Sequence, residues 1–94
     1  MSWSAGLAWR IEISRTAQKQ IEKLDRKPQL AIICFLREKL ADTTNPRQWG
    51  KPLRGDKAGL WRYRVGDYRL ICELQDERIR VIVLYVGHRK DVYR

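Results

Sequence analysis

Histidine and cysteine are scarce in this chain: one histidine, and two cysteines at Cys34 and Cys72 with no CxxC spacing. A structural zinc site needs about four such ligands at short spacings, so no metal site is expected. Both cysteines sit inside apolar patterns and read as reduced core thiols. The carboxylates Glu12, Glu22, Asp25, Glu38 and Asp42 are scattered over the first strand and the helices rather than clustered, and no cofactor is expected. No apolar run approaches the roughly 20 residues of a membrane helix. The opening MSWSAGLA lacks the basic start and apolar core of a secretory signal. These absences set a cytoplasmic expectation with no membrane partner. Internal repeats and low-complexity segments are also missing.

Acidic charge is the remaining shortage. Eleven Asp and Glu face twenty Lys and Arg, leaving a net charge of +9 and a pI near 10.1. Such a surplus points to a polyanionic partner: nucleic acid, an anionic membrane or an acidic protein. Plain surface solvation is the weaker alternative on so short a chain. With 94 residues, 44% hydrophobic and 33% charged, the chain suits one folded domain, 1–94, with a modest core.

The segment AWRIEI alternates, with Trp9, Ile11 and Ile13 on one side, and reads as a half-buried strand. Ser14 offers an N-cap, and Ala17, Ile21 and Leu24 recur at helical spacing, predicting a helix over 15–26. A second helix is expected from Pro28 to about Asp42, its stripe formed by Leu30, Ile33, Cys34 and Leu40 and widened by Ala31, Ile32, Phe35 and Leu36. Its tight link to the first implies an antiparallel helix hairpin. Residues 43–59 hold two prolines and three glycines and read as a long loop. The loop carries Arg47, Lys51, Arg54 and Lys57. The period then becomes two. LWRYRV and YRLICEL are strands joined by a two-residue turn at Gly66-Asp67. RIRVIVLYV is apolar at almost every position, which predicts a central strand covered on both faces and ended by Gly87. HRKDVYR is a short tail, with at most one helical turn. The order β-α-α-β-β-β predicts an α+β fold, an antiparallel sheet with the helix hairpin across one face.

The turn at Gly66-Asp67 fixes the hairpin register: Val65 faces Tyr68, Arg64 faces Arg69, Tyr63 faces Leu70 and Arg62 faces Ile71. Trp61, Tyr63, Val65, Tyr68, Leu70 and Cys72 then share the face that packs on the helices, and Arg62, Arg64 and Arg69 share the other. Like charges directly opposite each other destabilise a hairpin by up to about 1 kcal/mol per pair, whereas guanidinium groups bind phosphate bidentately. Three arginines on one face, flanked by aromatics, favour a phosphate-rich ligand over solvation. An even turn before the last strand would set Glu73 opposite Arg80 as a compensated pair and add Ile71, Ile82 and Leu84 as an apolar floor. An odd turn would flip the last strand and undo this.

The tail adds His88, Arg89, Tyr93 and Arg94. His88 is the one side chain with an ordinary pKa near neutrality, and Tyr93 is suited to stacking on a base, to donating a hydrogen bond, or to packing the tail down on the sheet. If the ligand is RNA, its 2′-hydroxyl is itself a nucleophile. Cleavage then needs a base for that hydroxyl, donors for the charge growing on the phosphate and an acid for the leaving 5′ oxygen. Arg62, Arg64, Arg69 and Arg89 suit charge stabilisation. Arginine is a poor base, so His88 is the leading titrating candidate and Tyr93 the second.

The segments KPLRG, WRYRVGDYRLICEL and VIVLYVGHRKDVYR, with the opening WRIEISRTAQKQIEKLDR, resemble the RelE toxins of bacterial toxin–antitoxin pairs. The resemblance covers residues 8–94 and leaves 1–7 as an N-terminal extension. It implies a small α+β toxin that enters the ribosomal A site and cuts mRNA without a metal, leaving a 2′,3′-cyclic phosphate and a free 5′-hydroxyl. It also implies contact with ribosomal RNA, a cognate RelB-like antitoxin that covers the basic surface, and promoter DNA bound only through that antitoxin. By position, Arg69 matches the family's phosphate-binding arginine and Arg89 the arginine that helps the transition state or leaving group. Tyr93 matches the tyrosine that stacks on and orients the mRNA. Arg62 and Arg64 stand where well-known members carry two lysines, one proposed as general base, so the identity of the base is open and His88 is a candidate for part of that work. Lys51, Arg54, Lys57 and Arg94 are expected to contact the ribosome or RNA, with solubility the alternative for the loop residues. Two rival readings share these features: a ParE-like toxin acting on DNA gyrase, and a non-catalytic RNA- or ribosome-binding module.

Overall fold

The computed structural model describes residues 2–3, 9–41, 43–55 and 59–90. A six-stranded sheet has the order β1-β2-β6-β5-β4-β3. Its strands are β1 (Ser2–Trp3), β2 (Arg10–Ile13), β3 (Gly50–Pro52), β4 (Leu60–Val65), β5 (Tyr68–Gln75) and β6 (Arg80–His88), with α1 (Arg15–Glu22) and α2 (Arg26–Phe35) between β2 and β3. The α+β fold class is as expected. The sheet is antiparallel except where β2 runs parallel to β6, with Ile11 opposite Val81 and Ile13 opposite Val83.

Ser14 begins α1 as the sequence predicts. Its side chain accepts from the Ala17 N–H at 3.0 Å, while its hydroxyl donates to the Leu84 carbonyl at 2.7 Å. One serine thus caps the helix and ties it to β6. Ala17 and Ile21 are buried, but α1 ends at Glu22 rather than 26 because the chain turns through residues 23–25 into α2, whose N-cap is Asp25. Gln29 of α2 donates to the Ile21 carbonyl at 3.1 Å, satisfying an acceptor left open at the end of α1. Pro28 is therefore the third helical residue, not the first. The helix continues as a wider turn over Leu36–Leu40, where the Ala41 N–H reaches the Leu36 carbonyl at 2.9 Å.

The buried stripe of this second helix is Ile32, Leu36 and Leu40: Leu40 is as expected, while Ile32 and Leu36, expected only to widen the stripe, form its centre in place of Leu30, Ile33 and Cys34. Leu30 and Cys34 are exposed, so Cys34 is not a core thiol. Apolar residues on nearly every side of this segment made its inward face ambiguous. Cys72 is fully buried, and burial pushes its thiol pKa up.

The hairpin register agrees with the expectation at every pair from Arg62↔Ile71 to Val65↔Tyr68. Gly66 has φ 60, the left-handed first position that such a turn requires and that glycine adopts freely. Tyr63, Leu70 and Cys72 are completely buried in the core shared with the helices, and Trp61, Val65 and Tyr68 pack against it. The Tyr63 hydroxyl donates to the Pro46 carbonyl at 2.9 Å, and its ring lies 5.6 Å from Phe35. Burial raises the Tyr63 pKa.

Two expectations about the last strands need correction. The turn before β6 runs from Gln75 to Arg80, which face each other, so Glu73 faces Ile82 and not Arg80; a register shift between Ile71 and Cys72 then brings Tyr85 opposite Ile71 and leaves Leu84 out of the pairing. Arg80 therefore has Glu12 of β2 as its carboxylate partner, at 2.7 Å, and not Glu73. The extra residue of the bulge is not visible in an alternating pattern. Second, β6 is central but asymmetric. Val81, Val83 and Val86 are buried toward the helices, and Ile82, Leu84 and Tyr85 are only half-buried. The turn before β6 runs over Asp76–Arg78 and ends on Ile79 with φ 51, an uncommon conformation for a β-branched residue.

The expected long loop contains structure. Pro46–Trp49 form a short 3-10 turn, and Gly50–Pro52 pair with β4 as an edge strand. A side chain at Gly50 would collide with the Arg62 carbonyl, so glycine permits the close approach of β3 to β4. Pro52 is tolerated because β3 is an edge.

Candidate nucleic-acid interface

The sheet face turned away from the helices carries the basic groups. Arg62 and Arg64 on β4 share that face with Arg69, which sits directly opposite Arg64. Lys51 joins them: β3 sets it opposite Arg62, so it belongs to the cluster rather than to a separate loop contact. The sequence hid this placement because Gly50 and Pro52, residues depleted in strands, flank the lysine. The arginine face also has an apolar floor, in which Ile71 is completely buried and Ile82 half-buried.

Arg69 is the most enclosed of these cations, at 9% exposure. Its Nη1 donates to the carbonyls of Gly66 at 3.1 Å and Tyr68 at 3.0 Å, so the guanidinium is held against the turn by neutral acceptors. Across β5–β6 it faces Gly87, which offers no side chain to compete for that space. Arg89 arrives from the end of β6. Its backbone N–H donates to the Asp67 carbonyl at 2.7 Å, and its Nε lies 3.9 Å from Asp67 Oδ1. The same turn that sets the hairpin register therefore docks the start of the tail beside Arg64 and Arg69.

His88 is placed differently. It pairs with Tyr68 on the helix-side face, with ring centroids 5.5 Å apart in an edge-to-face contact, and its Nδ1 accepts from the Lys90 N–H at 3.2 Å. The sheet thus separates it from Arg62, Arg64 and Arg69. Arg54 is exposed just after β3. Lys57, Tyr93 and Arg94 lie outside the described residues.

A cleft of about 290 Å³ opens beside the cluster, lined by Gln48, Trp49, Gly50, Lys51, Arg62 and Arg64. Trp49, within the segment that reads as a long loop in the sequence, is 41% exposed at this cleft. Among the described residues no group of three or more His, Cys, Asp or Glu could hold a metal ion. No helix among them is long and apolar enough to cross a membrane. The cluster can bind successive phosphates and stabilise added negative charge on one of them.

Comparison with known proteins agrees with this architecture. Residues 11–93 match the family described as the ParE toxin of the type II toxin–antitoxin system parDE. The toxin RelG of Mycobacterium tuberculosis is 34% identical over 88 residues, covering 94% of this chain and 99% of the relative. The toxin RelE of the same organism is 34% identical over 86 residues, covering 92% and 87%. Among solved structures, the toxin–antitoxin complex RelBE2 of M. tuberculosis contains a chain that superposes with a TM-score of 0.80 at 32% identity, covering 94% of this chain and 99% of that one. The chain belongs to the RelE/ParE family and is a RelE-type toxin of a toxin–antitoxin module.

Proposed function

We propose that this toxin is a ribosome-dependent endoribonuclease that cuts mRNA in the ribosomal A site and so stops translation in the cytoplasm. The observation that carries the reading is the gathering of Lys51, Arg62, Arg64, Arg69 and Arg89 around one end of one sheet face. In the proposed reaction the 2′-oxygen attacks the adjacent phosphorus and the bond from phosphorus to the 5′-oxygen breaks. The 2′-hydroxyl gives up a proton and the leaving 5′-oxygen gains one. Arg69 holds a phosphate oxygen and Arg89 offsets charge on the leaving side, without a metal. Arg62 and Arg64 hold flanking phosphates, and Tyr93 stacks on and orients the mRNA. Arg54, Lys57 and Arg94 contact ribosomal RNA. Arginine does not act as the base, and His88, across the sheet, takes no direct part in proton transfer.

A RelB-like antitoxin is the proposed partner that covers the basic face, and promoter DNA is reached only through it. The antitoxin-bound RelE-type structures similar to this chain support that reading. The match to a family named for ParE favours one alternative, action on DNA gyrase. Primer extension on a translated mRNA separates the two. Cuts in register with the reading frame, insensitive to chelators, are expected. Intact mRNA together with inhibited gyrase would reverse the assignment.

A further inference from the structure

Trp49 stands at the border of two clefts. On one side lie Lys51, Arg62 and Arg64; on the other, a space of about 460 Å³ is lined by Glu38, Lys39, Thr43, Thr44 and Gln48. The Lys39 ammonium sits 4.8 Å from the ring centroid, within the range of a cation–π contact. The indole is held on a fixed base. Asn45 accepts from the Arg47 N–H at 3.2 Å, and Thr43 accepts from the Asn45 N–H at 3.1 Å and from the Gln48 side chain at 3.0 Å. The next residue, Gly50, is locked against β4 by the close approach described above. A large aromatic ring is therefore exposed, rigidly mounted and surrounded by cations.

We infer that Trp49 is a stacking platform for an unpaired RNA base, with Lys51, Arg62 and Arg64 holding the phosphates next to it. This deepens the proposed function and rests on RNA being the ligand. Stacking of a base on an aromatic side chain depends little on base identity, because every base has a π-face. The site thus extends the nucleotide track from the hairpin turn toward the edge strand and makes β3 a binding element.

The test uses two fluorescein-labelled single-stranded RNAs of equal length, one complete and one with abasic positions, and reads binding to the whole toxin by anisotropy. The complete RNA is expected to bind wild type more tightly than the abasic one. Trp49→Ala should weaken binding of the complete RNA by roughly 10-fold and leave abasic binding unchanged, and Trp49→Phe should restore most of the loss. Equal losses on both RNAs, or none on either, would overturn the platform, as would wild type binding neither. Retained RNA binding in Trp49→Ala with weakened antitoxin binding would reassign the ring to a protein partner. In-frame cleavage of translated mRNA is measured in parallel. Its absence defeats the proposed nuclease without touching a base-dependent Trp49 effect, and its presence with equal binding of the two RNAs defeats the platform alone.

Discussion

The two ends of the sheet handle positive charge in opposite ways. At the Asp76 end, cations are matched with carboxylates. Arg47 makes two 2.8 Å hydrogen bonds to Asp76, and Arg80 lies 2.7 Å from Glu12 and donates to Gln75. At the Gly66-Asp67 end, Arg64 faces Arg69, Arg69 is held by carbonyls, and the Arg89 Nε lies 3.9 Å from the Asp67 carboxylate. Pairing at the first end favours the folded chain. Crowding at the second opposes it by up to about 1 kcal/mol per facing pair, a cost that a bound phosphate would offset under the proposed function. The same residue type is therefore paired with carboxylates at one end and left facing its own kind at the other, the arrangement on which the proposed RNA contact rests.

The sharpest way to break this contrast is Arg69→Ala or Arg89→Ala. Each is expected to lower ribosome-programmed mRNA cleavage by about 100- to 1,000-fold, the usual cost of losing one donor to developing charge, while thermal melts stay near wild type. Full cleavage in both variants would remove the functional half of the comparison. Arg80→Ala is the converse case: a loss of about 1–2 kcal/mol in urea unfolding, with cleavage per folded molecule unchanged. His88→Gln tests the sheet as a partition. Its pH–rate profile should keep the wild-type shape, with rates within about two-fold, since the imidazole packs on Tyr68 across the sheet from the arginines. A flattened profile would show that His88 moves a proton after all. The smallest effect concerns Asp76, whose hydrogen bonds from Arg47 hold its carboxyl below the ordinary aspartate pKa. A lowered folded-state pKa contributes stability that is present above the unfolded value of about 3.9 and is lost as pH falls through the folded one. Asp76→Asn should therefore be slightly less stable than wild type at neutral pH, and that difference should close in acid. A gap that persists at low pH would mean the pair acts by packing rather than charge.

What could be read from the sequence follows from how local each signal is. The hairpin register, its two faces and the Ser14 cap depend on a few adjacent residues, and all are as expected. The parallel partnership of β2 with β6 depends on residues far apart in the chain, so alternation alone could not reveal it. The β6 bulge shifts a pairing without disturbing composition. Gly50 and Pro52 disguise the edge strand that carries Lys51, and the short 3-10 turn that presents Trp49 has no periodic pattern to reveal it. The inward face of α2 was ambiguous because apolar residues almost surround it. That Arg62, Arg64 and Arg69 share one face is legible, since the two-residue turn fixes the register. The position of His88 required knowing which way the last strand faces.

The Ser14 hydroxyl donates to the Leu84 carbonyl across 70 positions of sequence, and β2 joins β6 over a similar span. The β4–β5 hairpin and the helices close short loops and can assemble early, whereas the parallel pairing must wait for a large loop to close. The joint between β2 and β6 is thus the natural last step of folding and the first to open. Loosening it by Ile13→Ala, which leaves the Ser14 cap of α1 in place, should act mainly on how fast the native protein comes apart, and little on how fast it forms.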